Sequence, residues 1–325
     1  MSVLWQPACE LDALRLRAQL LQAIRQFFQQ RGVLEVETPL LCQAVATDPQ
    51  LDFFTTRFHL TPHQQTLYLQ TSPEFAMKRL LAAGSGCIFQ ICKAFRNGET
   101  GRMHNPEFTL LEWYRVGFDL AALMDEVAEL LLTLLAPVGI THCERISYVN
   151  VFVEHTGLNP LVFDSEAYHA YVNSHGFADA STLCGENHAL WLDFLFSHCV
   201  QPLLGLGQVT LVYGYPALQS SLARLNSDDA RVTERVEVFV SGVELGNGYE
   251  ELTDAVEQER RFNHEVAARQ QQGLAPVIKD QRLLAALQSG LPACSGIAIG
   301  VDRLLMLVSG LSHIDAVLAF PIARA

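Results

Sequence analysis

The sequence FRNGETGRMHNPEFTLLEWY, residues 95–114, decides the fold. It belongs to two runs that are typical of β-strands, CIFQICKAF at 87–95 and EFTLLEWYRV at 107–116, with a polar loop between them. Two strands joined in this way predict a β-hairpin. Strands and helices elsewhere in the chain follow no regular βαβ order, which favours an α+β fold with an antiparallel sheet flanked by helices.

The predicted hairpin carries groups that suit ligand binding. Alternation along the second strand puts Phe108, Leu110, Glu112 and Tyr114 on one face, so that a carboxylate and a phenol stand beside apolar side chains. Arg96 lies where the first strand ends, and a guanidinium there can bind a phosphate through two parallel hydrogen bonds. A solvated loop whose arginines meet surface carboxylates explains the same pattern equally well.

Composition limits the classes of protein. The chain has 325 residues, half of them hydrophobic, with 35 acidic and 22 basic side chains and a formal net charge of −13. This is a globular, enzyme-sized composition, and the acidic balance disfavours wrapping a polyanion such as tRNA. No run of about 18 apolar residues predicts a membrane span, and the N-terminus has no pattern of a secretion signal.

The eight cysteines are scattered without a C-x-x-C motif, which predicts reduced thiols and a cytoplasmic location. Neither cysteines nor histidines have the spacing of a zinc site.

Periodicity and breakers predict the remaining elements. The expected helices cover 11–31, the segment that opens with Ser72 as N-cap and Pro73 as first helical residue, and 119–135. The expected strands are VLEVETP, which ends at Pro39, TLYLQT at 66–71, and the small-residue run that starts GIAIG and leads into a helix. Residues 140–230 read as a loose helical region that forms an insertion within one catalytic domain spanning 1–325.

The segment VEVFVSGVELGNGYEEL, residues 236–252, predicts a second hairpin. A two-residue turn at Ser241-Gly242 makes Phe239 face Glu244, and Glu237 then lies diagonally across on the same side. Two carboxylates directed at one point suit a shared Mg²⁺ that bridges substrate phosphates. An exposed acidic hairpin face is the alternative.

Gly246 and Gly248 favour the ligand interpretation, because glycines inside a strand often mark a bulge or a close approach by a ligand. A one-residue bulge here would turn Glu251, rather than Glu250, toward the pocket.

The third candidate segment is SGIAIGVDRLL, residues 295–305. Gly296, Ala298 and Gly300 alternate, so one face of the strand is nearly bare and could lie against a flat ligand. Arg303 follows at the start of a helix, where the helix dipole also favours anions. Tight sheet packing under a helix explains this segment alone as well.

Together, these segments resemble the signature motifs of class II aminoacyl-tRNA synthetases, in particular those of lysyl-tRNA synthetases. RGVLEVETP resembles motif 1, FRN…RMHNPEFTLLEWY motif 2, and GIAIGVDRLLML motif 3, while ELGNGYEELTDAVEQERRF is similar to the lysyl-specific segment before motif 3. The resemblance runs from about residue 12 to the end. No N-terminal OB-fold anticodon domain is expected, because motif 1 begins at once.

A catalytic domain of this kind without a tRNA reader resembles the family of lysyl-tRNA synthetase paralogues that modify elongation factor P. The resemblance implies ATP-dependent activation of (R)-β-lysine as the adenylate and its transfer to a lysine side chain of elongation factor P, without tRNA charging. It also implies a homodimer built on motif 1.

The resemblance further implies roles for individual residues. Arg96 and Arg303 are the expected catalytic residues, on the α- and γ-phosphate respectively, and Glu237 and Glu244 are expected to hold Mg²⁺. Phe108 is expected to stack on adenine. The expected ATP contacts are Arg96, Asn97, Gly98, Asn105, Phe108, Glu244, Leu245, Gly300 and Arg303. The expected contacts of the lysine-like substrate are Ser72, Pro73, Glu74, Tyr114, Glu251 and Ala298.

Two positions depart from the family pattern. Motif 2 usually has glutamate two residues after its arginine, whereas here Gly98 occupies that position and Glu99 follows. Lysyl-tRNA synthetases have glycine where this chain has Ala298, and the extra methyl could favour a β-amino acid by about 1–3 kcal/mol.

Two other functions remain open at this stage. The first is a lysyl-tRNA synthetase-like enzyme that charges tRNA, and the second is a non-catalytic paralogue with a binding role. Retention of both arginines and both metal-binding glutamates speaks against the second.

Overall fold

The computed structural model describes residues 5–60, 63–177 and 179–325. The chain divides into two compact units. Unit 1 consists of Met1–Asp119 together with Leu252–Ala325, and unit 2 of Leu120–Glu251. Each unit has its own largely antiparallel set of strands with helices, which confirms the predicted α+β fold. Within the described ranges, no helix is both long enough and apolar enough to cross a lipid bilayer.

The described residues of the first segment of unit 1 form two helices and six strands. They are α1 (Leu11–Gln30), β1 (Leu34–Glu35), β2 (Leu41–Cys42), β3 (Thr55–Leu60), β4 (His63–Leu69), α2 (Glu74–Ala82), β5 (Ile88–Phe95) and β6 (Glu107–Val116).

In the part of unit 2 that the structure describes, a long helix is followed by short helices and four strands. These elements are α3 (Leu120–Leu135), β7 (Cys143–Ser147), α4 (Tyr148–Thr156), α5 (Ser165–Ser174), α6 (Ala180–Cys184), α7 (His188–Leu195), β8 (Val209–Tyr213), β9 (Arg235–Val240) and β10 (Val243–Glu250).

The second segment of unit 1 is Leu252–Ala325. This second segment contains α8 (Ala255–Gln271), α9 (Gln281–Gly290), β11 (Cys294–Gly300) and α10 (Val301–Ser309).

The strands of unit 1 that matter for function lie in the order β1, β5, β6, β11. β1 is parallel to β5, whereas β5 with β6 and β6 with β11 are antiparallel, so the predicted motif 2 hairpin is confirmed. Phe89 and Trp113 face α1, where the ring of Phe28 stacks on Phe89 at 4.6 Å between centroids and lies 5.2 Å from Trp113. Because side chains alternate, Glu112 and Tyr114 belong to the opposite face.

Unit 2 has its strands in the order β10, β9, β8, β7. Val243 pairs with Val240 and Glu244 with Phe239, which confirms the predicted turn and the facing pairs. The register shifts between Glu244 and Gly246, so the predicted bulge is also present. The aromatic core of this unit is built from α4 to α7 against the sheet and includes Tyr148, Trp191, Phe196 and Phe239.

Two sequence predictions need correction in detail. The strand expected from VLEVETP is reduced to Leu34–Glu35, and its last ladder bond runs from the Val36 amide to the Phe89 carbonyl at 2.9 Å. Pro39, which lacks an N–H, follows soon after. In α2, Pro73 is the N-cap residue and not the first helical residue, while Ser72 Oγ accepts from the Glu74 amide at 3.0 Å.

Candidate active site

On the face of the unit 1 sheet opposite α1, the side chains of β5, β6 and β11 stand in rows across the three strands. Register pairs Gln90 with Glu112 and Glu112 with Ala298, so these three side chains stand side by side. The next row towards one end contains Tyr114 and Gly296. A Cβ added to Gly296 would come within 2.3 Å of the Tyr114 ring, so this glycine makes room for the phenol. The bare face of β11 is therefore covered by protein at that row.

Glu112 is the central acidic group of this face, and its side chain is only 2 % exposed. Its Oε1 accepts from the Tyr114 hydroxyl at 2.7 Å and its Oε2 from the Ser72 hydroxyl at 2.8 Å. Burial, together with the nearby Glu74 carboxylate, raises the pKa of Glu112 to about 7 against the opposing effect of those hydrogen bonds. The group can therefore exchange a proton near neutral pH.

Glu74 opens α2 and is held by a buried lysine one turn later. Lys78 Nζ lies 2.5 Å from Glu74 Oε1, and the lysine is 2 % exposed. Predicted substrate residues Ser72, Glu74 and Tyr114 are thus gathered around Glu112. Glu112 itself is absent from the residues predicted to bind the substrate, although the alternation of β6 had placed it on the correct face.

The motif 2 loop gathers cationic side chains. Arg303, in the first turn of α10, donates from its guanidinium to His104 Nε2 at 2.7 Å and to the Met103 carbonyl at 3.3 Å. Burial and the charge of Arg303 lower the pKa of His104, and Arg96 acts in the same direction. The imidazole is therefore a neutral acceptor. Both predicted catalytic arginines lie near this histidine, which was not among the predicted site residues.

Arg96 leaves the end of β5 with its guanidinium 5.2 Å from the centroid of the Phe108 ring. The residue forms an ion pair with Glu99 at 3.6 Å, so the glutamate that follows the unusual Gly98 lies beside the arginine. Gly98 has a φ of +78°, a left-handed conformation that glycine adopts without strain.

Two predicted ATP contacts serve local structure here. Asn97 donates from Nδ2 to Asp52 Oδ2 at 2.7 Å. Asn105 is buried, with its Nδ2 donating to the Glu107 carbonyl at 2.6 Å and its Oδ1 accepting from the Ile322 amide at 3.0 Å. Gly300 ends β11 opposite Leu110, two positions from Ala298.

Asp302 anchors the helix that carries Arg303. Its Oδ1 lies 2.5 Å from the Arg17 guanidinium and its Oδ2 accepts from the Thr109 amide at 2.7 Å. Asp302 is 2 % exposed, so a buried ion pair fixes the start of α10 to α1 and to β6. The position of Arg303 depends on that connection.

In unit 2, the predicted metal ligands lie on one side of the β9–β10 hairpin. Glu237 is buried, accepts from the Tyr215 hydroxyl at 2.6 Å through Oε2, and forms an ion pair with Arg235 through Oε1. Because of the bulge, Asn247 pairs with Glu237 in the register and joins the same side. Asn247 Oδ1 accepts from Arg235 at 3.3 Å. Asn247 was not among the predicted metal ligands, although the predicted bulge is what brings it to this side.

The other predicted residues of unit 2 differ in exposure. Leu245 and Glu251 are buried, and Glu244 is half-buried. Glu250 is paired with Arg224 at 2.9 Å, whereas Glu251 is buried, so the two consecutive glutamates have different surroundings. Among the residues that the structure describes, no group of three or more His, Cys, Asp or Glu side chains could hold a metal ion.

Comparison with known proteins adds two findings. A family model for class II tRNA synthetases (D, K and N) matches residues 9–324. Proteins named elongation factor P--(R)-beta-lysine ligase are similar over nearly the whole chain. The protein from Haemophilus ducreyi is 47 % identical over 99 % of this chain and 97 % of its own length. Those from Pseudoalteromonas translucida and Vibrio vulnificus are each 48 % identical, covering 99 % and 98 % of both chains respectively.

Proposed function

The chain belongs to the class II tRNA synthetase family (D, K and N), and from that premise we propose that it is an ATP-dependent ligase acting on (R)-β-lysine and elongation factor P. It activates (R)-β-lysine and transfers it to a lysine side chain of elongation factor P, the two substrates that its relatives' name specifies. One observation in unit 1 carries the proposal. The sheet that presents buried Glu112 beside Glu74 also carries the loop where Arg303 meets His104. Carboxylates suit ammonium groups, and guanidiniums suit phosphates.

The first step is adenylate formation. The carboxylate of the amino acid attacks the α-phosphorus of ATP, the bond from that phosphorus to the bridging oxygen breaks, and pyrophosphate leaves. Little covalent chemistry falls to the protein, since positioning and charge stabilisation dominate phosphoryl and nucleotidyl transfer. Arg96 binds the α-phosphate and Arg303 the γ-phosphate, while Phe108 stacks on the adenine. The family resemblance also implies ATP contacts at Gly98, Leu245 and Gly300. It implies them as well at Asn97 and Asn105, whose side chains form hydrogen bonds within the protein.

The second step is transfer. The amine of the acceptor lysine attacks the carbonyl carbon of the adenylate, the bond to the phosphate oxygen breaks, AMP leaves, and the amine loses a proton. A protein acceptor, and not tRNA, is supported by the net charge of −13, which would repel a polyanion.

Magnesium is part of the proposal. Glu237, Glu244 and Asn247 offer oxygen donors on one side of the hairpin, the donor type that Mg²⁺ prefers. Protein sites for Mg²⁺ need only one or two carboxylates when substrate phosphates complete the shell. Arg235 contacts both Glu237 and Asn247, which supports these oxygens as ligands of a cation. When bound, Mg²⁺ would neutralise charge on the polyphosphate.

Recognition of the amino acid rests on separated acidic groups. Glu74, Glu112 and Tyr114 serve the substrate in unit 1, with Ser72 and Pro73 shaping the approach. The family resemblance adds Glu251 as an expected contact of the amino acid. Ala298 stands directly opposite Glu112, which supports a role for its methyl group in the choice between a β- and an α-amino acid.

A homodimer and a cytoplasmic location also belong to the proposal. Leu34, in the segment that resembles motif 1, and Leu40 and Leu41, directly after it, are between 40 % and 55 % exposed, and such apolar side chains suit a symmetric interface. None of the eight cysteines, all of which lie in the described ranges, forms a disulfide, as expected for a reducing compartment.

The decisive experiment is ATP–pyrophosphate exchange with Mg²⁺ and either (R)-β-lysine or α-lysine, followed by transfer of labelled amino acid to purified elongation factor P or to tRNA. We expect exchange that is faster with (R)-β-lysine, and label on elongation factor P alone. The Arg303→Ala variant should reduce exchange at least 100-fold. No exchange with either amino acid would overturn the proposal, and label on tRNA alone would replace it with the synthetase function.

A further inference from the structure

One buried polar group, on the face of the unit 1 sheet opposite α1, has no role in the function proposed above. Gln90 lies on β5 directly opposite Glu112 and is 2 % exposed. Its amide forms a hydrogen bond to the thiol of Cys92. Its Oε1 has no hydrogen-bond partner in the described part of the chain.

A buried acceptor without a hydrogen-bond partner destabilises the folded protein. Such groups are rare in native structures, because a buried carbonyl oxygen without a donor has lost its hydrogen bonds to water. Substitution by a similar apolar side chain would relieve that cost. A glutamine at this position therefore needs a reason, and a ligand that brings an N–H group to it is the simplest one.

The surroundings define the charge of that ligand. The nearby hydroxyl donors, Ser72 and Tyr114, already donate to Glu112. Glu74 lies close enough for its charge to act on Glu112. Lys78 balances one of the two carboxylate charges. The face therefore offers acceptors and net negative charge, which suit a group with several donors and a positive charge. A primary ammonium has three N–H donors and no acceptor.

Glutamine also suits this position better than a further acid. A third carboxylate beside Glu112 and Glu74 would add like-charge repulsion in a buried site. An amide oxygen adds an acceptor without adding charge. Gln90 and Glu112 together can then accept two N–H bonds from the same nitrogen, one neutral and one charge-assisted.

We propose that Gln90 is a substrate-binding residue whose Oε1, beside Glu112, accepts a hydrogen bond from one ammonium group of the diamino acid. This inference rests on the proposed function and deepens it by assigning a neutral acceptor to one of the two amines. The residue thereby contributes to selection of a diamino acid over acids with a single amine.

The test uses the full-length protein in ATP–pyrophosphate exchange. The Gln90→Leu variant should raise the KM for (R)-β-lysine at least tenfold, while the KM for ATP changes less than twofold. Two analogues locate the contact: 6-aminohexanoate lacks the β-amine, and (R)-3-aminohexanoate lacks the terminal amine. The variant should lose, by the same factor, the preference for (R)-β-lysine over the analogue that lacks the amine bound by Gln90. Its preference over the other analogue, which keeps that amine, should not change.

A second variant, Gln90→Met, has similar volume and flexibility and covers the case in which Gln90→Leu does not fold. Thermal unfolding of both variants identifies a structural defect independently of kinetics. An unchanged KM for (R)-β-lysine in a folded variant, or equal loss of preference over both analogues, would overturn the assignment of Gln90. Absence of exchange in the unmodified protein would instead overturn the proposed function, so the two failures are distinguishable.

Discussion

Replacing Glu112 by glutamine should stabilise the folded protein at neutral and alkaline pH. The carboxyl group is buried and close to Glu74, and its pKa in the folded protein rises from 4.5 to about 7. In the unfolded chain it ionises near its ordinary value. Between these two pKa values the folded protein binds more protons than the unfolded chain, so the free energy of unfolding falls as pH rises. The stability associated with protonated Glu112 is complete below about pH 4.5 and is lost through about pH 7.

The magnitude follows from the pKa difference. At about 1.4 kcal/mol for each tenfold change in proton affinity, a rise from 4.5 to about 7 corresponds to about 3 kcal/mol. Glutamine stays neutral at every pH and escapes this loss. Rearrangement of the hydroxyl groups of Ser72 and Tyr114 around the new amide adds an offset that does not depend on pH. The difference in the free energy of unfolding between Glu112→Gln and the unmodified protein should therefore grow by about 3 kcal/mol as pH rises from below 4.5 to above 7.

Urea unfolding of both proteins at pH 5, 6, 7 and 8 measures this difference directly. Glu107→Gln, at a half-exposed carboxylate on the same strand, is the matched control and should show no comparable trend. A difference that stays constant across the series, or that shrinks as pH rises, would refute the argument that burial of Glu112 opposes folding.

Three further outcomes follow from the same contacts. Because an ammonium group binds the ionised carboxylate of Glu112, the KM for (R)-β-lysine in pyrophosphate exchange should fall as pH rises through about 7. A KM that stays constant between pH 6 and 8.5 would contradict this role of Glu112. Asp302→Asn leaves Arg17 without its charged partner and should lower the free energy of unfolding by about 3 kcal/mol in urea, whereas a loss below about 1 kcal/mol would show that the pair is not needed. Gly296→Ala forces the Tyr114 ring to move, so the KM for the amino acid should rise in the same assay while the KM for ATP does not. Equal changes in both KM values would contradict a local effect.

The motif 2 hairpin was predictable because its sequence contains both strands and the loop that joins them. Alternation in β6 gave the correct face for Glu112 and Tyr114, and the two-residue turn gave the pairing of Glu244 with Phe239. These are local patterns with a period of two. They need no knowledge of distant parts of the chain.

Contacts between distant segments were not predictable in the same way. His104 receives Arg303 from 199 positions away, and Arg17 binds Asp302 across 285 positions. Nothing in the spacing of either residue indicates its partner. Gly296 shows a related limit: its small size accommodates the Tyr114 ring, which alternation alone could not distinguish from space for a ligand.

The discontinuity of unit 1 has a consequence for synthesis. Unit 2 is one unbroken stretch of the chain, whereas unit 1 needs Leu252–Ala325 to join Met1–Asp119. On the ribosome the inserted segment can fold as soon as it emerges. Strand β6 must wait for β11 and for Asp302, which is synthesised 193 positions after its partner Thr109. During that interval the edge of β6 is open, and the nascent protein is at its most vulnerable to aggregation and to chaperone capture.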